Sequence, residues 1–193
     1  MVGRWPAGWW VHAQPVPSPN FGPRPAGVSG VVDMVVLHSI SLPPGQYGGP
    51  QIEAFFTNAL DCDEHPYFET LRGVQVSAHF LVRRDGQVLQ FVSCQDRAWH
   101  AGASEWRGRP NCNDHSVGIE LEGLEGDLFE AAQYAALERL LADLCLRWPI
   151  RDLVGHEHIA PVRKSDPGTG FDWKKMTEVM RFRALCGPFD DAR

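Results

Sequence analysis

Apolar and polar positions divide the chain into short strands and a few amphipathic helices. Asp33-Met34-Val35-Val36-Leu37-His38 is an almost continuous apolar run, which predicts a strand covered on both faces and closed by His38. After a Gly- and Pro-rich loop, Ile52, Phe55, Phe56, Ala59 and Leu60 recur at helical spacing, so a helix is expected to start near Pro50. A further helical turn is expected over residues 66–72, ending at Gly73. Residues 77–83 and 87–92 read as a hairpin about Arg84-Asp85-Gly86, because Asp-Gly supplies the positive φ of a tight turn. His79 opens its first strand. Ser116 to Glu122 alternates, with Val117, Ile119 and Leu121 on one face and Gly118, Glu120 and Glu122 on the other.

Two longer helices close the chain. Asp127 and Glu130 have capping-box spacing and open a helix that buries Tyr134, Leu137, Leu141, Leu144 and Trp148 until Pro149 stops it. Asp152-Leu153-Val154 is a short strand, and a last helix capped by Asp172 turns Trp173, Met176 and Met180 inward as far as Gly187-Pro188. Residues 1–30 are interrupted by Pro15, Pro17, Pro19, Pro23 and Pro25, which predicts an irregular arm anchored by Trp5, Trp9 and Trp10. Strands alternating with helices imply one α/β domain over residues 1–193.

Composition narrows the function classes. A chain of 193 residues with 44% apolar and 22% charged residues buries a core without staples. No apolar run suits a membrane span, and Met1 to Pro6 carries no export signal, so a cytoplasmic location is expected. The 5 cysteines include no C-x-x-C pair and suit free thiols in a reducing compartment. A net charge of -6 with dispersed Lys and Arg argues against nucleic acid as a partner, and no obligate protein partner is evident.

Candidate chemistry concentrates in Gly155 to Gly168, a polar stretch without amphipathic period that reads as an ordered loop. His156, His158 and Asp166 are of the donor types that suit zinc, and His79 is a rival to His158. His38 stands at a strand's carboxyl end, where α/β sheets tend to place ligands. Glu120 is disfavoured in mid-strand, and Gly118 on the same face leaves room for something to approach. His38, His156 and Asp166 with Glu120 and Lys164 compose a hydrolytic metal site. Three protein ligands leave a tetrahedral zinc one position for water, whose pKa falls to roughly 7. Glu120 would shuttle the proton, and Lys164 would hold charge on a carbonyl oxygen.

Several motifs carry a resemblance running from about Trp9 to Trp173. They are Pro17-Ser18-Pro19-Asn20, Ile40-Ser41-Leu42-Pro43-Pro44-Gly45, Val76-Ser77-Ala78-His79, Arg97-Ala98-Trp99-His100-Ala101-Gly102 and Cys112-Asn113-Asp114. Gly118 to Gly123, Gly155-His156 and Asp166-Pro167-Gly168 complete the series. With them the chain resembles the zinc-dependent N-acetylmuramoyl-L-alanine amidases, a family shared with peptidoglycan recognition proteins. It most resembles the branch that acts on 1,6-anhydro-muropeptides in the cytoplasm.

The resemblance implies a central mixed β-sheet flanked by helices and one Zn2+ per chain on His38, His156 and Asp166. It implies Glu120 as general base and Lys164 as transition-state stabiliser, and removes His79 and His158 as ligands. Ser39, Trp99, His100 and Arg109 are the expected substrate contacts. The implied reaction is hydrolysis of the amide between 1,6-anhydro-N-acetylmuramic acid and the stem peptide's L-alanine during wall recycling. Where a host has an inducible β-lactamase, that reaction also limits its induction. Ser39 and His158 depart from the family's usual Asn and Asp, while Gln75 and Asn111 replace arginines carried by some relatives. Two other readings share this fold. A non-catalytic sensor typically lacks a metal ligand, whereas all three positions are filled here, and a periplasmic amidase would need an export signal upstream.

Overall fold

The computed structural model describes residues 5–27 and 30–188, so the expectation for Met1 to Arg4 lies outside the described residues. The strands are β1 (Gln14–Pro15), β2 (Phe21–Gly22), β3 (Met34–Ile40), β4 (Phe80–Val82), β5 (Val88–Gln90), β6 (Arg97–Ala98), β7 (Glu105–Trp106), β8 (Arg109–Pro110), β9 (Ser116–Glu122) and β10 (Asp152–Gly155). The helices are α1 (Gln51–Phe56), α2 (Pro66–Glu69), α3 (Ala131–Arg147), α4 (His156–Ile159) and α5 (Trp173–Arg183). One mixed sheet runs in the order β1-β5-β4-β9-β3-β10, and β2-β6 and β7-β8 form small ribbons.

In this sheet β10, β3, β9 and β4 are parallel, so their carboxyl ends share one edge. The expected hairpin is present, with Val82 opposite Val88. Pairing sets the faces. Val35, Leu37, Val117, Ile119, Phe80, Val82 and Leu153 join α3 and α5 in one core. Met34, Val36 and Val154 pack with Ala101, Cys112 and Ile159 on the opposite face. Leu81 and Leu89 bury α1 and α2 through Ile52, Phe55, Phe56 and Phe68. Both sheet faces are therefore covered, and every residue of β9 is buried, which rules out a solvated outer face for Glu120.

Several elements differ from expectation, each for a local reason. β3 continues through Ile40, so His38 lies within a strand whose ladder with β9 extends two residues further. α1 stops at Phe56 because Asn58 adopts a left-handed φ of 61°, which leaves Ala59 and Leu60 outside the helix. The capping box of α3 is formed by Glu130 and Gln133, while Asp127 instead accepts from the Tyr47 hydroxyl at 2.7 Å. The stretch expected as a loop contains the single turn α4, and α5 ends at Arg183 because Ala184 turns left-handed (φ 53°).

The arm is more ordered than its prolines suggest, since β1 adds to the sheet edge and Val16 N donates to Gln90 O at 2.8 Å. Trp5 and Trp10 are buried and Trp9 is half-buried, with Trp10 Nε1 donating to the buried Asp143 at 2.9 Å. Arg24 anchors its far end. Its guanidinium donates to the carbonyls of Cys94, Asn113, Asp114 and Ser116 at 2.9–3.3 Å. Planar five-donor geometry suits this many acceptors and an ammonium does not. Arg24→Ala is expected to cost about 2 kcal/mol in denaturant unfolding, with Arg24→Lys recovering less than half. Equal midpoints for the wild type and both variants would remove Arg24 from the frame.

Candidate metal centre

Parallel register assembles the centre. His38 of β3 is the cross-strand partner of Glu120 of β9, and Gly155, just before His156, is the partner of Leu37. Paired residues of neighbouring strands share a face, so His38 and Glu120 emerge side by side at the carboxyl edge. His156 follows at the start of α4, and Glu157 N donating to Asp166 O at 2.8 Å folds residues 160–166 back over the turn. A side chain on Gly155 would meet Pro167 Cδ at 2.7 Å, so glycine is needed for that return.

His38 Nδ1 lies 3.0 Å from His156 Nδ1 and 3.0 Å from Asp166 Oδ2, and the His156 Nδ1 to Asp166 Oδ2 separation is 3.2 Å. All three residues are buried. Donors about 2.0–2.1 Å from a tetrahedral zinc stand roughly 3.3 Å apart, so this triangle needs only a slight expansion to take the ion. Glu120 stands beside it, and its buried Oε2 has no hydrogen-bond partner. Two imidazoles, a carboxylate and an unpaired buried oxygen fit a zinc site with a water on its open side.

Protonation states agree with that fit. Burial pushes the His38 imidazole down to about 4, and the neighbouring Asp166 opposes this. Burial raises the Asp166 carboxyl, and the neighbouring His156 and His38 more than offset this, leaving it below the usual carboxylate range. Neutral imidazole and ionised carboxylate are the forms that ligate. Burial, reinforced by Asp166, holds Glu120 well above the usual range, and Lys164 opposes this. A divalent cation alongside would act in the same direction as Lys164.

A cleft of about 390 Å³ opens over the triangle. Ser39, Trp99 and Lys164 line it, together with Leu42, Phe56 and Tyr67. Lys164 is exposed at the rim. One expected contact is placed differently. Arg109 does not reach the cleft, because its Nη1 pairs at 2.8 Å with Asp33, just before the opposite end of β3. His100 lines the cleft as expected and also meets His38, with its Nδ1 2.9 Å from His38 Nε2. His158 Nδ1 accepts from Gly155 N at 2.9 Å, and the fully buried His79 accepts from Gly118 N at 3.0 Å, so neither joins the triangle. The sequence does not single out Asn113 and Ser116, which position His100, as site residues. The only signal for Asn113 was its place in a resemblance motif.

The comparisons with known proteins agree with this geometry. The profile of a family described as N-acetylmuramoyl-L-alanine amidase matches residues 29–169. The 1,6-anhydro-N-acetylmuramyl-L-alanine amidase AmpD of Citrobacter freundii is 46% identical over 183 residues, covering 94% of each chain. A crystal structure of a selenomethionine AmpD derivative superposes with a TM-score of 0.87 at 45% identity, covering 90% of this chain and 97% of that one. The Escherichia coli amidase AmiD, solved in complex with the substrate anhydro-N-acetylmuramic acid-L-Ala-D-gamma-Glu-L-Lys, superposes with a TM-score of 0.56 at 31% identity, covering 81% of this chain and 61% of that one.

The buried imidazoles make stability depend on pH. Burial, reinforced by Arg24, holds His79 down to about 3, and burial among the other histidines holds His100 well below its ordinary value. With His38, these groups bind fewer protons folded than unfolded between about pH 4 and 6.5. Their contribution to stability is complete above about pH 6.5 and is lost as pH falls toward 4. Glu120, raised by burial, keeps its proton when folded and offsets one of the three. Unfolding of the metal-free protein near pH 5 is therefore expected to take up protons net. Denaturant midpoints in chelator should fall between pH 7 and 5, and a flat profile would contradict neutral buried imidazoles.

Proposed function

The chain belongs to the N-acetylmuramoyl-L-alanine amidase family, and we propose that it is the member of that family that hydrolyses the amide between 1,6-anhydro-N-acetylmuramic acid and L-alanine of the stem peptide. The observation that carries this reading is the buried triangle of His38, His156 and Asp166 with Glu120 at its side under an open cleft. Likeness to the AmpD enzymes along almost the whole chain supports the anhydro-sugar substrate. The AmiD complex supports a cleft that takes sugar and stem peptide together.

His38, His156 and Asp166 would hold one zinc ion. When bound, zinc acidifies a water and polarises the scissile carbonyl. Glu120 takes the proton of the attacking water and returns it to the leaving alanine nitrogen, breaking the C–N bond with a neutral amine as product. Its raised affinity for a proton suits both halves of that transfer. Lys164 at the rim places an ammonium where negative charge builds on the carbonyl oxygen. The apolar wall of Leu42 and Phe56 excludes water from one side. Ser39 and Trp99 border the substrate, Trp99 with a flat indole face.

Hydrolysis of soluble anhydro-muropeptides places the protein in peptidoglycan recycling in the cytoplasm, acting as a single amidase domain. In hosts with an inducible β-lactamase, consuming these fragments keeps induction low. Among the described residues no helix is long and apolar enough to cross a membrane. Removing zinc with a chelator should abolish release of the stem peptide from anhydro-muramyl peptide, and adding zinc back should restore it. Activity that persists after thorough chelation would overturn the zinc mechanism. Glu120→Gln should retain zinc yet lose about 100- to 10,000-fold in kcat. Lys164→Met should lose about 100-fold, mainly in kcat. Near-normal turnover in either variant removes that residue from the mechanism.

A further inference from the structure

Outside the triangle, the segment Trp99-His100-Ala101-Gly102 touches both metal-binding imidazoles from behind. His38 Nε2 meets His100 Nδ1 at 2.9 Å, and His156 Nε2 meets the carbonyl oxygen of Ala101, the next residue, at 3.1 Å. We propose that residues 100 and 101 form one clamp that sets the tautomer and direction of both imidazoles, so that each presents its Nδ1 lone pair to the metal. This rests on the zinc reading above.

Hydrogen-bond direction follows from which atoms can only accept. A carbonyl oxygen cannot donate, so the Ala101 contact requires the proton of neutral His156 on Nε2 and leaves Nδ1 free. Arg163 Nη2 donates to the same oxygen and to Ala103 O, each at 2.8 Å, which orients the peptide. For His38 the direction comes through two relays. Ser116 Oγ has one proton and gives it to Cys112 O at 2.6 Å, so toward His100 it can only accept. His100 Nε2 is therefore the protonated nitrogen, 3.2 Å from Ser116 Oγ, and His100 Nδ1 accepts from His38 Nε2. His38 Nδ1 is left with its lone pair toward His156 and Asp166.

The clamp is itself fixed. Asn113 Oδ1 accepts from His100 N at 3.0 Å and from Ala101 N at 2.8 Å, so one side chain sets both residues. The His100 ring lies against the backbone of Gly118, where a Cβ would fall within the imidazole. The space left by that glycine in a buried strand is filled by His100, not by substrate. Partners of this kind fix a ligand's tautomer, and their loss typically costs 10- to 100-fold in metal affinity. Toward the metal His100 is a positioning residue, since its ring joins the triangle through His38, although it also lines the cleft.

The test is zinc affinity, measured by competition with a chelating dye, in wild type, His100→Phe, His100→Gln and Ser116→Ala. Thermal unfolding of each metal-free protein reports folding, and visible absorption of the Co2+ forms reports ligand geometry. His100→Phe is expected to bind zinc 10- to 100-fold more weakly with an altered Co2+ spectrum. His100→Gln, which can offer an amide oxygen to His38 Nε2, should recover most of the affinity. Ser116→Ala contacts neither ligand and should weaken zinc in the same direction as His100→Phe, which keeps the test decisive if His100→Phe fails to fold. Wild-type affinity in both His100→Phe and Ser116→Ala overturns the clamp, as does a loss in His100→Gln equal to that in His100→Phe. A wild-type protein that takes up no zinc overturns the zinc reading and the clamp together.

Discussion

The register of three parallel strands is the constraint on which the centre depends. His38 stands opposite Glu120, and Gly155 opposite Leu37, through a ladder pairing seven residues of β3 with β9 and four with β10. Side chains alternate along a strand, so a one-residue slip would turn His38 into the core under α3 and bring Leu37 to the edge. That slip is blocked by burial. Val35, Leu37, Val117 and Ile119 are fully buried on the opposite face, and a slip would turn Val35 and Leu37 out of that core. The packing that stabilises the sheet therefore also aligns the candidate metal donors.

The same arrangement places polar groups in surroundings that disfavour charge. His38, His79, His100, His115 and Glu120 are all moved toward their neutral forms by burial. Asp166 is instead shifted toward its charged form, through its contacts with the imidazoles. Such a cluster contributes little to stability by itself, because desolvating polar groups costs about as much as their mutual hydrogen bonds return. Its retention in an otherwise apolar interior is the local conflict expected where a fold carries chemistry.

Elements remote in sequence keep that polar interior ordered. The arm closes one edge of the sheet through β1 and ends in Arg24, whose donors satisfy carbonyls on both sides of the segment around Asn113. Asn113 in turn holds the backbone of His100 and Ala101. Ser165 donates to Glu125 and so ties the returning loop to the segment after β9. The donors therefore rest on a framework drawn from the arm, the sheet and two loops.

What the amino-acid sequence determined by itself was the set of elements with strong period. The buried strand at Met34, the hairpin about Gly86, the alternation of Ser116 to Glu122 and the inward stripe of the helix at Tyr134 to Leu144 were all legible. Each depends on neighbours within a few residues. The chemical types of the donors were legible for the same reason, and the family motifs singled out His38, His156 and Asp166 from four candidate histidines and an aspartate. Helix ends were read less well, because Asn58 and Ala184 turn left-handed without a glycine to announce it. Tertiary structure alone decided that Arg109 faces Asp33, that the space beside Gly118 belongs to His100, and which nitrogen of each imidazole faces the metal site. A ring's tautomer is set by the acceptor at its other nitrogen. For His38 and His156 those acceptors lie 62 and 55 residues away and are brought there only by folding.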